Sequence, residues 1–319
     1  MSDVVLVRSP ADPPSARLQE AAAGRRVVEV PDLTEPAVRA AGLEPAEVGA
    51  VLGASPRDDL RFLSGLRWVH SAAAGVDGWL RAGTVPDGAT LTSAVGNGAV
   101  PLAEHALMLM LMLSRDAPRW ARAQQRREWD RYVHGELAGQ TLGIIGYGNC
   151  GRDLASKALA CHMRVQALRR TPSGERDGDV VLRYGDDGLR ELLSTSDVVV
   201  VTASLTPETR QLVGAEQLAL MPRHAHLVVV SRGGIVDDDA LLEALRDGTI
   251  AAAGLDAHGT EPLPPSSPFW DLPNVIITPH NGATTAATAE RGRHILLDNL
   301  ARWVSGRPLL NVVDPARGY

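Results

Sequence analysis

The sequence is nearly without lysine: Lys157 is the only one among 32 Lys and Arg residues in a chain of 319. Alanine is abundant, so the imbalance reads as genomic base composition and not as function. Arginines and acids are interspersed, the formal net charge is −6, and no basic block marks a nucleic-acid surface. Cysteine is almost absent. Cys150 and Cys161 lack metal-ligand spacing and make no disulfide framework, which fits a reducing cytoplasm, and no metal site is expected. The N-terminus lacks a basic segment followed by a long apolar core, so no signal peptide is expected. The most apolar helical run, Ala106–Leu113, is too short to cross a bilayer and follows Glu104 and His105 directly, as a buried helix would. Repeats and low-complexity linkers are also missing.

What is present is alternation. Strands are expected at Val4–Val7, Arg26–Val30, Val48–Leu52, Trp68–Ser71 and Thr90–Ala94, with helices at Pro13–Ala22, Glu35–Ala41 and Arg57–Ser64. A long helix is expected over Val100–Arg127. From Thr141 a second alternation begins, with strands near 141–145, 164–168, 179–183, 197–202, 226–231, 250–255 and 274–278. These read as continuous apolar runs, the pattern of a parallel sheet buried on both faces. Ala286–Ser305 reads as a helix, and Arg307–Val313 as a strand returning to the first domain. The expected architecture is α/β with two Rossmann-like domains. A discontinuous, smaller, flavodoxin-like substrate-binding domain would span 1–98 and 286–319. A doubly wound dinucleotide-binding domain would span 99–285, with a cleft between the two and hinges near Gly96–Val100 and Ala283–Ala287.

Gly146-Tyr147-Gly148-Asn149-Cys150-Gly151 follows the strand Thr141–Ile145 and precedes a helical run from Arg152 to Ala160. This is the G-x-G-x-x-G fingerprint in the context it requires. One glycine allows the tight turn, one lets the backbone approach a pyrophosphate, and one lets helix and strand pack closely. The helix N-terminus then offers free N–H groups to the phosphates. Cys150 has a bland explanation as a small apolar residue.

Three polar residues lie just after apolar runs in the C-terminal half. Arg232 follows His226–Val230, Glu261 follows Ile250–Leu255, and His280 closes Asn274–His280. Ligands bind outside the carboxyl ends of the strands in an open α/β sheet. A cation, an acid and an imidazole at that edge suit acid–base chemistry on an anionic substrate. Taken singly, each could instead be a cap, a solvated turn residue or a surface arginine. Glu104 and His105 read as structural, as do His70 and His258. Trp120 and Trp129 read as packing for a helix pair or a dimer contact.

With these residues in place the chain resembles the D-isomer-specific 2-hydroxyacid dehydrogenases. The resemblance rests on Ser71–Asp77, Val100–Ala106, Thr141–Gly151, Leu205–Thr209, Val230–Asp237, Gly254–Asp256, Glu261–Leu263 and Thr278–His280. The short chain and the phrase Val100–His105 look most like glyoxylate/hydroxypyruvate reductases. The resemblance implies hydride transfer between a nicotinamide and C2 of a short 2-oxo or 2-hydroxy acid. His280 would then exchange the proton, Glu261 would orient the imidazole and stabilise its charged form, and Arg232 would clamp the carboxylate. The backbone of Ala74 and Gly75 would hold the other side of the substrate. Cofactor contacts would come from Gly146, Gly148, Asn149, Cys150, Gly151, Arg169, Arg170, Ala203, Val230, Ser231, Asp256 and Gly282, with Asp256 beside the carboxamide. A homodimer is implied, with no membrane or nucleic-acid partner. The alternatives are a non-catalytic dinucleotide-sensing scaffold, or a related phosphoglycerate, phosphite or D-lactate dehydrogenase.

Two departures stand out. An NAD-preferring fold carries an acid about 20 residues past the glycines, on the ribose 2′-OH. Here the strand Arg164–Leu168 is followed by Arg169-Arg170-Thr171-Pro172-Ser173, so NADP(H) is favoured over NAD(H). The second departure is Ala257-His258, where relatives often have Val-Phe.

Overall fold

The computed structural model describes residues 3–319. Its contacts group into two compact units. One runs to Asn97 and resumes at Thr285–Tyr319, and the other is Gly98–Thr284. The first unit holds strands β1 (Val4–Arg8), β2 (Val27–Val30), β3 (Val48–Leu52), β4 (Trp68–Ser71) and β5 (Thr90–Ser93), all parallel, in the order β2-β1-β3-β4-β5. That is the flavodoxin-like order. Leu296 and Leu300 of the helix Ala286–Ser305 pack with Val5, Val7 and Trp68, so the C-terminal segment completes this core. The tail returns, but not as a full strand. Val312 makes one isolated antiparallel bridge to Thr92, and Ser93 and Val313 bond to Asn311 and Leu91.

The second unit holds β6 (Thr141–Ile145), β7 (Arg164–Leu168), β8 (Arg176–Asp177), β9 (Val180–Arg183), β10 (Val198–Val201), β11 (His226–Val229), β12 (Ala252–Leu255) and β13 (Val275–Ile277). Their order is β13-β12-β11-β10-β6-β7-β9-β8, parallel except for the β8–β9 hairpin. The central strand shows why the apolar runs are continuous. Val198 and Val200 face one core with Ala106 and Leu154, while Val199 and Val201 face another with Leu192 and Leu241. All four valines are 0% exposed, because helices cover both faces of the sheet.

Two expected helices differ. Arg57–Ser64 forms successive turns, linked by Asp58 N–H to Ser55 and Leu63 N–H to Leu60, with Leu66 N–H bonded to Leu63. Leu60, Leu63 and Leu66 are still buried, so a turn repeat of three mimicked helical spacing. The run Val100–Arg127 is two helices, Ala99–Ser114 and Ala117–Arg126, broken at Asp116 with φ of 50°. Pro118 has no N–H for the Ser114 carbonyl. Gly135 N–H takes that carbonyl instead, at 2.9 Å, and the Tyr132 hydroxyl donates to the carbonyls of Arg115 and Asp116. Among the described residues no helix is long and apolar enough to cross a membrane.

His70 lies within β4 in the first core, 1% exposed. The Thr92 hydroxyl accepts from Trp68 Nε1 and lies 2.8 Å from His70 Nδ1. Burial lowers the imidazole pKa to about 4. The fold favours the neutral ring, whereas the unfolded chain takes up a proton near pH 6.5. The stabilising contribution is therefore complete above about pH 6.5 and is lost as pH falls towards about 4, amounting to about 3 kcal/mol. His70→Asn is expected to lower stability at pH 7 but to lose less on acidification than the parent chain. Urea unfolding at pH 7 and pH 4.5 checks this, and equal acid losses in the two proteins would show that His70 titrates freely.

Candidate active site

The second sheet ends in register. Val229 of β11 pairs with Leu255 of β12, and Leu255 with Ile277 of β13. On the other side Val201 pairs with Val229 and with Ile145, and Ile145 pairs with Leu168. All these strands are parallel, so everything that follows these residues leaves the same edge. The glycine loop, Arg169, Ala203, Ser231, Arg232, Glu261 and His280 are brought to one side of one sheet.

Two of the trio touch. His280 Nδ1 lies 2.7 Å from Glu261 Oε2. The carboxylate accepts, so Nδ1 carries the proton and Nε2 is the nitrogen that faces chemistry. Glu261 Oε1 is held separately by the His258 N–H at 2.9 Å. The pair is about one-third exposed, 36% for the His280 side chain and 35% for Glu261, which leaves it accessible to a substrate. Arg232 is half-buried, and its Nη1 donates to the Ser231 carbonyl at 2.9 Å, which aligns the guanidinium at the strand end.

His280 has φ of 49°, a left-handed conformation unfavourable for an imidazole residue. Asp256, at the end of β12, holds it there. Its carboxylate accepts from the Thr278 hydroxyl at 2.6 Å, from Asn281 N–H at 3.1 Å and from Gly282 N–H at 3.0 Å. His105, on the helix Ala99–Ser114, adds its Nε2 at 3.5 Å from Asp256 and 3.0 Å from Thr278 Oγ1. Asp256 is 0% exposed, and both of its oxygens are engaged by the protein. Gly282 is part of the same anchor; a Cβ there would lie 2.9 Å from Asp256 Oδ2. Thr278 and His105 were not singled out as anchors from sequence. The Thr-Pro-His phrase and the imidazole in an apolar helix were the available signals.

The glycine loop fits a dinucleotide. Gly146 has φ of 102°, and a Cβ on it would meet Ala203 N at 2.4 Å. A Cβ on Gly151 would meet Gly146 O at 2.4 Å. The protein itself therefore demands the outer two glycines. Nothing lies within 4 Å of a Cβ on Gly148, so the middle glycine leaves room for something outside the chain. It is the N-cap of the helix Asn149–Ala160, whose first N–H groups face the same space. Burial pushes the Cys150 thiol up to about 12, so it packs the loop and is no nucleophile. Tyr147 packs under Arg152, which pairs with Asp177 of the β8–β9 hairpin, a clamp with no clear sequence signal. Ser231 Oγ is buried with no protein partner, beside Val230 at the same edge.

Arg169 stands at the position of the expected acid. Its Nη1 donates to Ser173 Oγ at 2.6 Å, and the Ser173 loop is pinned by Tyr184. Arg170 instead points to Glu208, at 3.5 Å. Ala74 and Gly75 lie in the first unit, in the exposed loop after β4. Among the described residues no cluster of His, Cys, Asp and Glu could hold a metal ion.

Comparison with known proteins agrees with this geometry. Residues 107–282, more than half of the chain, match the family model described as D-isomer specific 2-hydroxyacid dehydrogenase, NAD binding domain. The chain is 35% identical over 283 residues to a glycerate dehydrogenase from Methylorubrum extorquens, covering 85% of this chain and 87% of that protein. It also matches a D-3-phosphoglycerate dehydrogenase from Methanocaldococcus jannaschii at 34% identity, over 81% of this chain but only 49% of that protein's length. The structure superposes on a D-isomer specific 2-hydroxyacid dehydrogenase from Xanthobacter autotrophicus in complex with NADPH and MES. The TM-score is 0.84, with 32% identity over 100% of both chains. An NADPH-dependent glyoxylate/hydroxypyruvate reductase from Sinorhizobium meliloti, in complex with NADP and sulfate, matches with a TM-score of 0.83 and 30% identity, again over 100% of both chains. The fingerprint, the strand-end trio and these likenesses place the chain in the D-isomer-specific 2-hydroxyacid dehydrogenase family, as an NAD(P)-dependent oxidoreductase.

Proposed function

We propose that this oxidoreductase reduces glyoxylate, hydroxypyruvate or a related short 2-oxo acid, with NADPH preferred over NADH. The observation that carries the acid–base reading is the His280–Glu261 contact at 2.7 Å on the same sheet edge as Arg232 and the glycine loop. A bound nicotinamide would supply or accept the hydride at C2. Gly146, Gly148 and Gly151, with the first N–H groups of Asn149 and Cys150, hold the pyrophosphate. Ala203, Val230, Ser231 and Gly282 line the path towards the reacting end. Arg232 binds the substrate carboxylate through its planar fork. His280 gives the proton at Nε2 to the carbonyl oxygen, and takes it back in the reverse direction. Glu261, held on Nδ1, fixes the ring and stabilises the imidazolium.

His280→Ala and Arg232→Ala are expected to lose nearly all turnover on a panel of 2-oxo acids while still binding nucleotide. The loss for the general acid is about 10²–10⁴-fold. Near-normal kcat in His280→Ala would remove the imidazole from the mechanism. Glu261→Gln is expected to keep part of the rate but to lose reductive activity at lower pH than the parent enzyme, and an unchanged profile would remove Glu261.

The nucleotide preference rests on Arg169 and Ser173. A guanidinium–phosphate bond is worth roughly 1.5–3 kcal/mol, or about ten- to hundredfold in kcat/KM, weakened by salt at this partly exposed edge. Arg169→Asp is expected to reverse the preference, since it removes the partner and adds repulsion. Steady-state rates with NADH and NADPH at one ionic strength decide it. A parent enzyme that prefers NADH would mean that Arg169 serves solvent.

The partner for assembly is a second copy of the chain. Trp129 is 92% exposed and Val133 100% exposed, in the segment that caps the broken helix beside Trp120. Apolar groups this bare call for cover. Trp129→Ala with Val133→Asp is expected to convert a dimer to monomers in sedimentation velocity, and an unaltered dimer would place the interface elsewhere.

A further inference from the structure

We infer that Tyr184 is a positioning residue for nucleotide selection, an inference that rests on the reading of Arg169 and Ser173 as the 2′-phosphate site. Residues 170–179 are exposed throughout. An exposed loop of this kind moves unless something ties it down. Arg169 N–H donates to the Arg183 carbonyl at 2.9 Å where the loop begins, and Leu182 N–H donates to the Glu175 carbonyl at 2.8 Å where it returns. Between these two ties the chain is held by the Tyr184 side chain. Its hydroxyl accepts from Ser173 N–H at 3.1 Å and donates to the Gly174 carbonyl. Gly174 has φ of 106°, so the chain turns sharply at the residue that the phenol grips. The ring itself packs against the core that includes Val180 and Leu182, and the residue is the N-cap of the helix Gly185–Thr195. A hydroxyl on a packed element thus fixes two successive residues of an exposed one.

The placement matters because of what Ser173 does. Its Oγ accepts from Arg169 Nη1 at 2.6 Å. Other guanidiniums around this edge are paired with carboxylates: Arg170 with Glu208, Arg183 with Glu191 and Arg152 with Asp177. The described contact of the Arg169 guanidinium is to a hydroxyl, which orients it without neutralising it. Arg169 therefore keeps its charge for an anionic phosphate, and the Ser173 hydroxyl can turn its own proton to the same group. Ordering both groups in advance removes that cost from binding. NADH lacks the 2′-phosphate and gains nothing from the order. Tyr184 thus favours one nucleotide over the other, although both bonds of its hydroxyl go to the protein.

The test uses the full chain, titrated with NADPH, NADH, adenosine 2′,5′-bisphosphate and AMP, and assayed with whichever 2-oxo acid turns over. Tyr184→Phe keeps the ring and removes the hydroxyl. The Kd of NADPH and of adenosine 2′,5′-bisphosphate is expected to rise about tenfold, the scale of one or two lost hydrogen bonds, with those of NADH and AMP unchanged. The KM for NADPH should rise with them while kcat at saturation holds, because the hydride and proton steps are untouched. Ser173→Ala supplies a second check. Adding Tyr184→Phe to Ser173→Ala should weaken NADPH little further, since the two changes remove the same arrangement. Equal weakening of NADPH and NADH by Tyr184→Phe would overturn the inference, as a general loosening of the domain gives that result. So would unchanged NADPH binding, and so would fully additive effects in the double variant. The parent protein, titrated alongside, separates the two levels: if it binds AMP as tightly as the bisphosphate, the 2′-phosphate site itself has failed and the inference falls with it.

Discussion

A carboxylate with no exposure to water holds the site together. Asp256 is buried, and an uncompensated charge there would cost several kcal/mol, so the fold must bring donors to it. The donors come from the turn that carries the general acid: the Thr278 hydroxyl and the N–H groups of Asn281 and Gly282. His280 lies between them in a left-handed conformation it would not choose alone. Electrostatic need beneath the turn therefore sets the geometry above it. His105 extends the same network to the helix Ala99–Ser114, so the acid turn is fixed to the layer that covers the sheet.

The register of the sheet is the second constraint. Because Val229, Leu255 and Ile277 are paired across parallel strands, three loops of different length start from one line. The sequence spacing between Arg232, Glu261 and His280 looks arbitrary until that line is drawn. Ligand sites at the carboxyl edge of parallel sheets follow from this, since each crossover helix must begin there and each loop is free to carry a functional side chain.

Much of this was legible in advance, for reasons specific to certain residues. Continuous valine runs such as Val198–Val201 suit central parallel strands covered on both faces, and Gly146 and Gly151 stand where a Cβ would meet contacts of 2.4 Å. The trio was legible because charged residues directly after such runs have nowhere to go but the edge. Other features were not, because they depend on distant parts of the chain. The turns at Arg57–Ser64 bury Leu60, Leu63 and Leu66 at helical spacing without a helix. The break near Pro118 is stable only because Gly135 and Tyr132 return to take the freed carbonyls. The same holds for the burial of Asp256, which is set by the turn at 278–282 and by a helix more than a hundred residues earlier.

Asp256 and Glu261 show how position sets chemistry. They are the same functional group, five residues apart in one loop. Asp256 is closed off from solvent and saturated by N–H and O–H donors, so its charge is spent on structure. Glu261 is one-third exposed and takes a single backbone N–H on one oxygen, which leaves the other to an imidazole. A carboxylate acts on a neighbouring proton only when its own donors do not already exhaust it. The loop between the two residues turns that rule into an arrangement: Ala257 and His258 carry the chain from the buried end of β12 to the surface. The backbone that delivers Glu261 also limits how many hydrogen bonds it receives.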